Sequence, residues 1–217
     1  MKILIVGYQG KMGKMAYQGL TQAGHQCEGC SKEDALSQGL LNKPDVMLDL
    51  TSPDVVFDHA MQAITHRIPL VIGTTGLSLK EIETLRSKAQ QNSSGVLIVP
   101  NFSLGALLMM KFAKEAKSFF SSVEIVEGHH PEKKDMPSGT AKMTAHLMGE
   151  DVTIHSRRQR GLLAEQTVYF SDIGERLTIE HQTLSRDSFL PGIKYAINKV
   201  MHLNELMIGL DTFLNES

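Results

Sequence analysis

The 217-residue chain is 41% hydrophobic and 21% charged, ordinary usage for a packed protein and not that of a disordered or low-complexity one. Its 22 Lys plus Arg against 24 Asp plus Glu leave a net charge of −2, so no overall field draws nucleic acid or an anionic membrane, and an anionic ligand must meet a local cationic site. No apolar run approaches the roughly 18 residues that cross a bilayer, and the expectation is a cytoplasmic protein.

The chain opens with an apolar run, Lys2 to Val6, followed by a glycine-rich turn and a helical pattern over 11–23. Short apolar runs at 46–50, 70–72 and 96–99 alternate with helical stretches at 54–66 and 78–91. Strands interleaved with helices pair in parallel through crossovers, which predicts an α/β, Rossmann-type doubly wound sheet over the first hundred residues. After a helix over 103–120, strands at 122–127, 152–155, 166–171 and 176–182 follow with one helix near 138–148. That order predicts a second, α+β domain with a mixed sheet. From Leu190 the chain reads as helical and then apolar, too short to stand alone and expected to pack back on the first domain.

The first turn reads Gly7-Tyr8-Gln9-Gly10-Lys11-Met12-Gly13, between a strand and a helix. A dinucleotide pyrophosphate needs close backbone approach and the free N–H groups of a helix N-terminus, so Gly7, Gly10, Lys11, Met12 and Gly13 are candidate cofactor contacts. The alternative is a plain tight turn, and the spacing differs by one from G-x-G-x-x-G. The acid expected about 20 residues on, at the ribose, is replaced by Lys32, which suits a 2′-phosphate and favours NADPH over NADH. Otherwise Glu33 or Asp34 faces the ribose and Lys32 is a surface charge. Cys27 and Cys30 form a lone C-x-x-C, read as two partly buried thiols rather than half a zinc site or a redox pair.

Residues 127–141 are the most informative stretch: Glu127-Gly128-His129-His130-Pro131-Glu132-Lys133-Lys134-Asp135-Met136-Pro137-Ser138-Gly139-Thr140-Ala141. Four potential cations fall within six residues, between a strand and a helix that Ser138 is placed to cap. The N–H groups of Gly139 and Thr140, with the hydroxyls of Ser138 and Thr140, suit a carboxylate. Adjacent histidines rarely converge on one ion and no H-x-x-x-H spacing supports them, so no metal is expected. An anionic substrate that takes up a proton from a group titrating near neutrality fits these residue types. Lys134, Arg157, Arg158 and Arg186 are further cations available to that field.

This stretch is similar to the E-x-H-H-x-x-K-x-D-x-P-S-G-T-A signature of the dihydrodipicolinate reductase family. The likeness extends to Asp49-Leu50-Thr51-Ser52-Pro53, Gly73-Thr74-Thr75-Gly76, Pro100-Asn101-Phe102-Ser103 and the segments at 172–177 and 185–192, and so spans nearly the whole chain. The resemblance implies an NAD(P)H-dependent reductase of lysine and diaminopimelate synthesis, an oxidoreductase that is cytoplasmic and a homotetramer. It implies a dinucleotide-binding domain over 1–102 plus 190–217 and a substrate-binding and oligomerisation domain over 103–189. By the same likeness His129 is the general acid and Lys133 assists proton transfer, while His130, Ser138, Gly139 and Thr140 bind the dicarboxylate substrate. Gly73, Thr74, Thr75, Pro100, Asn101 and Phe102 flank the nicotinamide.

Two departures from the family pattern stand out. Ala164-Glu165-Gln166 occupies the place of a usual G-E-H, and Pro131 and Glu132 replace more basic residues. A different small Rossmann reductase acting on another imine or carbonyl, or a non-catalytic nucleotide-binding module, are the rival readings.

Overall fold

The computed structural model describes residues 1–31, 36–149 and 151–213. It divides into two units, Met1–Phe102 with Phe189–Ser217, and Ser103–Ser188.

In the first unit β1 (Lys2–Val6), β2 (Gln26–Cys30), β3 (Val46–Asp49), β4 (Leu70–Ile72), β5 (Val96–Ile98) and β10 (Leu206–Ile208) form one sheet in the order β10-β5-β4-β3-β1-β2. Every pairing is parallel. Such a sheet is covered on both faces, which is why β3, β4 and β5 are buried at every residue and, apart from Asp49 at the end of β3, run apolar without alternation. The crossovers are α1 (Lys11–Gln22), α2 (Leu36–Leu41), α3 (Pro53–Thr65) and α4 (Leu79–Asn92). Ser78 starts α4 with a capping box closed by Glu81. One core layer packs Leu4, Met47, Leu70 and Ile72 against Val56, Ile64 and Leu85 of α3 and α4.

The sequence reading differs from this unit in two places. It has no counterpart for α2, a six-residue helix with two apolar anchors, Leu36 and Leu40, too short to show a period. The apolar run after α7 (Leu190–Val200) is a strand, β10, which joins the sheet at β5.

In the second unit β6 (Ser122–His129), β7 (Thr153–Arg158), β8 (Ala164–Asp172) and β9 (Glu175–Thr183) form a sheet ordered β7-β6-β8-β9. β7 runs parallel to β6, and β8 and β9 follow antiparallel, so the sheet is mixed. The helices α5 (Leu104–Ala116) and α6 (Gly139–Met148) supply Ala113, Ala141, Ala145 and Met148 to a core with Ile125, Val168 and Phe170. The expected helix over 103–120 stops at Ala116 and passes into a 3₁₀ turn, Lys117–Phe119, in which Phe119 is exposed.

Candidate active site

In the first unit the expected cofactor residues stand at the carboxyl ends of strands, where open α/β sheets bind ligands. Gly7 follows β1 at φ +81, a conformation that a side chain disfavours, and its carbonyl accepts from Gly10 N–H at 3.0 Å to close the turn. A Cβ on Gly13 would overlap the Gly7 carbonyl and lie 2.6 Å from Tyr8 Cα, so α1 sits against the loop only because Gly13 has none. Gly10 is the N-cap of α1 and contributes no side-chain cap, and Gly10 and Lys11 are exposed while Met12 is half-buried. The exposed, uncapped N-terminus and the bare backbone of the turn fit a pyrophosphate. Lys32 lies outside the described residues.

Gly73 follows β4, and a Cβ there would come within 2.6 Å of both Leu50 Cδ2 and Phe102 Cε2. Gly73 and Phe102 are therefore in direct reach, with Pro100 exposed and Asn101 half-buried in the same turn and Thr75 exposed beside Gly73. A residue the sequence reading did not single out organises this edge. Asp49, fully buried, accepts from Thr51 N–H at 3.0 Å, Thr51 Oγ1 at 2.6 Å and Thr74 Oγ1 at 3.1 Å, and its other oxygen meets His59 Nδ1 at 2.8 Å. One carboxylate thus joins the ends of β3 and β4 to α3. The D-x-T string held the signal, because a side chain that accepts from the residue two ahead makes an Asx turn.

In the second unit Glu127 and His129 lie two apart on β6, so strand geometry puts them on one face. Glu127 is fully buried; its Oε2 meets His129 Nδ1 at 2.6 Å and its Oε1 accepts from Arg158 Nη1 at 3.0 Å. Arg158 is opposite His129 in the parallel register, and Ser156 is opposite Glu127. The Arg158 guanidinium also donates to the carbonyls of Lys133 at 3.4 Å and Asp135 at 2.8 Å, which ties the following loop to β7. Burial raises the Glu127 pKa, but Ser156, Arg158 and His129 outweigh it and hold the carboxyl below its usual range. Ser156, opposite Glu127 in the β6–β7 pairing, is the foremost of these lowering influences. Burial pushes the His129 imidazole below its ordinary value; Glu127 pulls it back up, and the charges of Lys133 and Arg158 push it down again.

Lys133 Nζ pairs with Asp135 at 2.8 Å and lies close enough for its charge to act on His129. The Lys133 hydrogen bond lowers the Asp135 pKa, and the Gly139 backbone, at the start of α6, assists. His130 is half-exposed and its Nδ1 meets Glu132 at 2.9 Å, so the unusual Glu132 orients that ring. Ser138 is buried and its hydroxyl accepts from Ala141 N–H at 3.2 Å, capping α6, whereas Gly139 is exposed and Thr140 half-buried. Gln166, in the place of the family's usual histidine, is buried across from Glu127, and its Nε2 donates to Thr144 Oγ1 at 2.8 Å. Thr144 in turn donates to the Thr140 carbonyl, so this departure anchors α6 to β8. Of the other basic residues, Arg157 is paired with Glu165.

One unit with a Rossmann-like sheet and a glycine turn at its switch point, and a second with a mixed sheet that carries a Glu-His-Arg cluster built on a buried carboxylate and a Lys, define a pyridine-nucleotide oxidoreductase of two units. Residues 1–102 match the N-terminal part of dihydrodipicolinate reductase and residues 105–214 its C-terminal part. The chain is 39% identical to 4-hydroxy-tetrahydrodipicolinate reductase of Legionella pneumophila (strain Philadelphia 1), over 98% of this chain and 99% of that one. It is 38% identical to the enzyme of the same description from Lactococcus lactis subsp. cremoris, over 99% and 97%. A dipicolinate-bound dihydrodipicolinate reductase from Paenisporosarcina sp. TG-14 superposes with a TM-score of 0.89 at 32% identity, covering 99% of both chains. The chain belongs to the dihydrodipicolinate reductase family, the oxidoreductases of a step in lysine and diaminopimelate synthesis.

Proposed function

We propose that the chain reduces 4-hydroxy-tetrahydrodipicolinate to tetrahydrodipicolinate with NAD(P)H, and that His129 supplies the proton. The substrate has a hydroxyl that the product lacks, so one water leaves while one hydride and one proton are added. The nicotinamide nucleotide supplies the hydride. The first unit's own task is to hold the nucleotide: Lys11, Met12 and Gly13 offer the pyrophosphate the N–H groups of the helix start, Gly7 and Gly10 shape the turn that lets it approach, and Gly73, Thr74, Thr75, Pro100, Asn101 and Phe102 bound the nicotinamide.

In the second unit Lys133 exchanges Asp135 for a substrate carboxylate, and His130, Ser138, Gly139 and Thr140 complete the site, Ser138 through the helix start that it caps. Loss of the hydroxyl and a neighbouring hydrogen as water leaves a conjugated imine; hydride addition pushes electrons to the far end of that system, where an imidazolium at residue 129 captures them with a proton, and Lys133 offsets the shifting charge. The observation that carries this reading is His129, half-buried on a strand end within range of the Lys133 charge and fixed at Nδ1 by Glu127. The test follows nicotinamide oxidation with freshly made substrate: His129→Gln loses about a hundredfold or more in kcat. Wild-type-like turnover in H129Q removes His129 from the mechanism, and turnover of an unrelated carbonyl alone favours another reductase.

NADPH is the favoured nucleotide, on Lys32 in place of an acid; the ratio of NADPH to NADH dissociation constants should collapse in Lys32→Ala. The reading includes a cytoplasmic homotetramer, which sedimentation at micromolar concentration checks.

A further inference from the structure

We propose that Glu127 is a positioning residue for the proton donor, holding the His129 ring at Nδ1 so that Nε2 is the atom presented to substrate, with Arg158 fixing Glu127 and the Lys133 loop in the same network. This rests on the reading of His129 as the acid and adds what makes it competent. An ionised carboxylate only accepts, so a 2.6 Å contact to it requires a proton on Nδ1 in both charge states of the ring. Only Nε2 then gains and loses the transferred proton, and the ring cannot turn over without breaking a buried hydrogen bond.

The second oxygen of Glu127 is taken by Arg158, whose remaining N–H groups reach the carbonyls of Lys133, Asp135 and Arg157. Three hydrogen bonds therefore fix Arg158 between β7 and the loop carrying Lys133, and a fourth, to Glu127, links it to His129. Both groups assigned to the chemistry hang on one buried ion pair, with Glu127 fully buried and the Arg158 side chain 12% exposed. A pair so buried is a poor source of stability, since desolvation offsets its attraction, and this favours a task in orientation. The charged groups facing His129 are Glu127 from its own strand, Arg158 from β7 and Lys133 from the loop; β8 opposes it with Ala164, and the neighbouring Glu165 is bound to Arg157.

Two substitutions separate positioning from scaffold. Glu127→Gln removes an attractive charge from His129, and Arg158→Gln removes a repulsive one. Both should lower kcat, by about tenfold to a hundredfold, with the nucleotide dissociation constant unchanged. The alkaline limb of kcat/KM should move to lower pH in E127Q and to higher pH in R158Q. Glu127→Asp should recover part of the E127Q loss. The ¹⁵N shifts of His129 should report a neutral ring protonated at Nδ1 in wild type and a mixture of tautomers in E127Q. Limbs that move together, or an E127Q ring still protonated wholly at Nδ1, overturn the proposal. If E127Q does not fold, the R158Q limb alone decides, an upward move supporting the network and a fixed limb overturning it. Measuring H129Q alongside keeps the two ideas apart: an impaired H129Q with a normal E127Q defeats only the positioning role, whereas a normal H129Q defeats the assignment of the acid.

Discussion

Glu127 and His129 show how two side chains on one strand face reach the same protonation tendency for different reasons. Both bind a proton less readily in the folded chain than free in solution, Glu127 because its hydrogen bonds outweigh its burial and His129 because burial outweighs its carboxylate partner. His181 is lowered by burial as well. Groups with depressed folded pKa values stabilise the fold above their unfolded values, and that contribution is lost as the pH falls. The histidines should erode stability as the pH drops below about 6.5, and Glu127 should add a second decline below about 4.5. Urea midpoints from pH 8 to 4 check this; His129→Gln should flatten the first decline, and a midpoint unchanged between pH 7 and 5 would contradict it. The pairing of Glu127 with His129 was legible in principle, since two residues apart on a strand means one face. What hid it was Arg158, which reaches the pair only through the parallel register of β6 and β7.

At the level of elements, the β1–turn–α1 unit is where sequence pattern and packing agree most closely. Gly13 is required by contact, because any Cβ there meets the Gly7 carbonyl and the Tyr8 backbone. Gly13→Ala should push α1 from the turn and weaken NAD(P)H binding by about tenfold or more, because the pyrophosphate cradle is backbone. Dipicolinate binding should be unaffected; fluorescence titration of each ligand distinguishes the two, and unchanged nucleotide affinity would show that the turn is only a turn. The same pattern logic recovered β1, β3, β4 and β5 because parallel strands buried on both faces are uninterrupted apolar runs. It missed α2 for want of length, and it left β10 as a nondescript apolar segment because a three-residue strand is defined by the neighbour it pairs with, not by its own sequence. Ser138 was legible as a cap, and α6 does begin with its hydroxyl on Ala141 N–H. That same bond buries the hydroxyl, a consequence that appears only once the helix has packed.

For the whole molecule, a net charge of −2 provides no attraction for a dicarboxylate, so in the proposed mechanism recognition rests on a local set of donors: Lys133, the start of α6 and the His129 imidazole in its charged form. Burial shifts His129 toward its neutral form in the free chain, and in the proposed mechanism two incoming carboxylates shift it back toward the protonated form. On that reading substrate binding and loading of the acid are coupled. The family signature made this group legible as a set, while its protonation state depends on burial and on Arg158, which no spacing reveals. The pH dependence of kcat and of kcat/KM tests the coupling most directly, because the first reports the complex and the second the free chain. A proton donor must be charged, so both should fall as the pH rises, kcat/KM with a limb below about 6.5 and kcat with its limb at higher pH. Neither limb should persist in the residual activity of H129Q. A wild-type profile flat from pH 5 to 8, or the same limb surviving in H129Q, would contradict the assignment of the proton to residue 129.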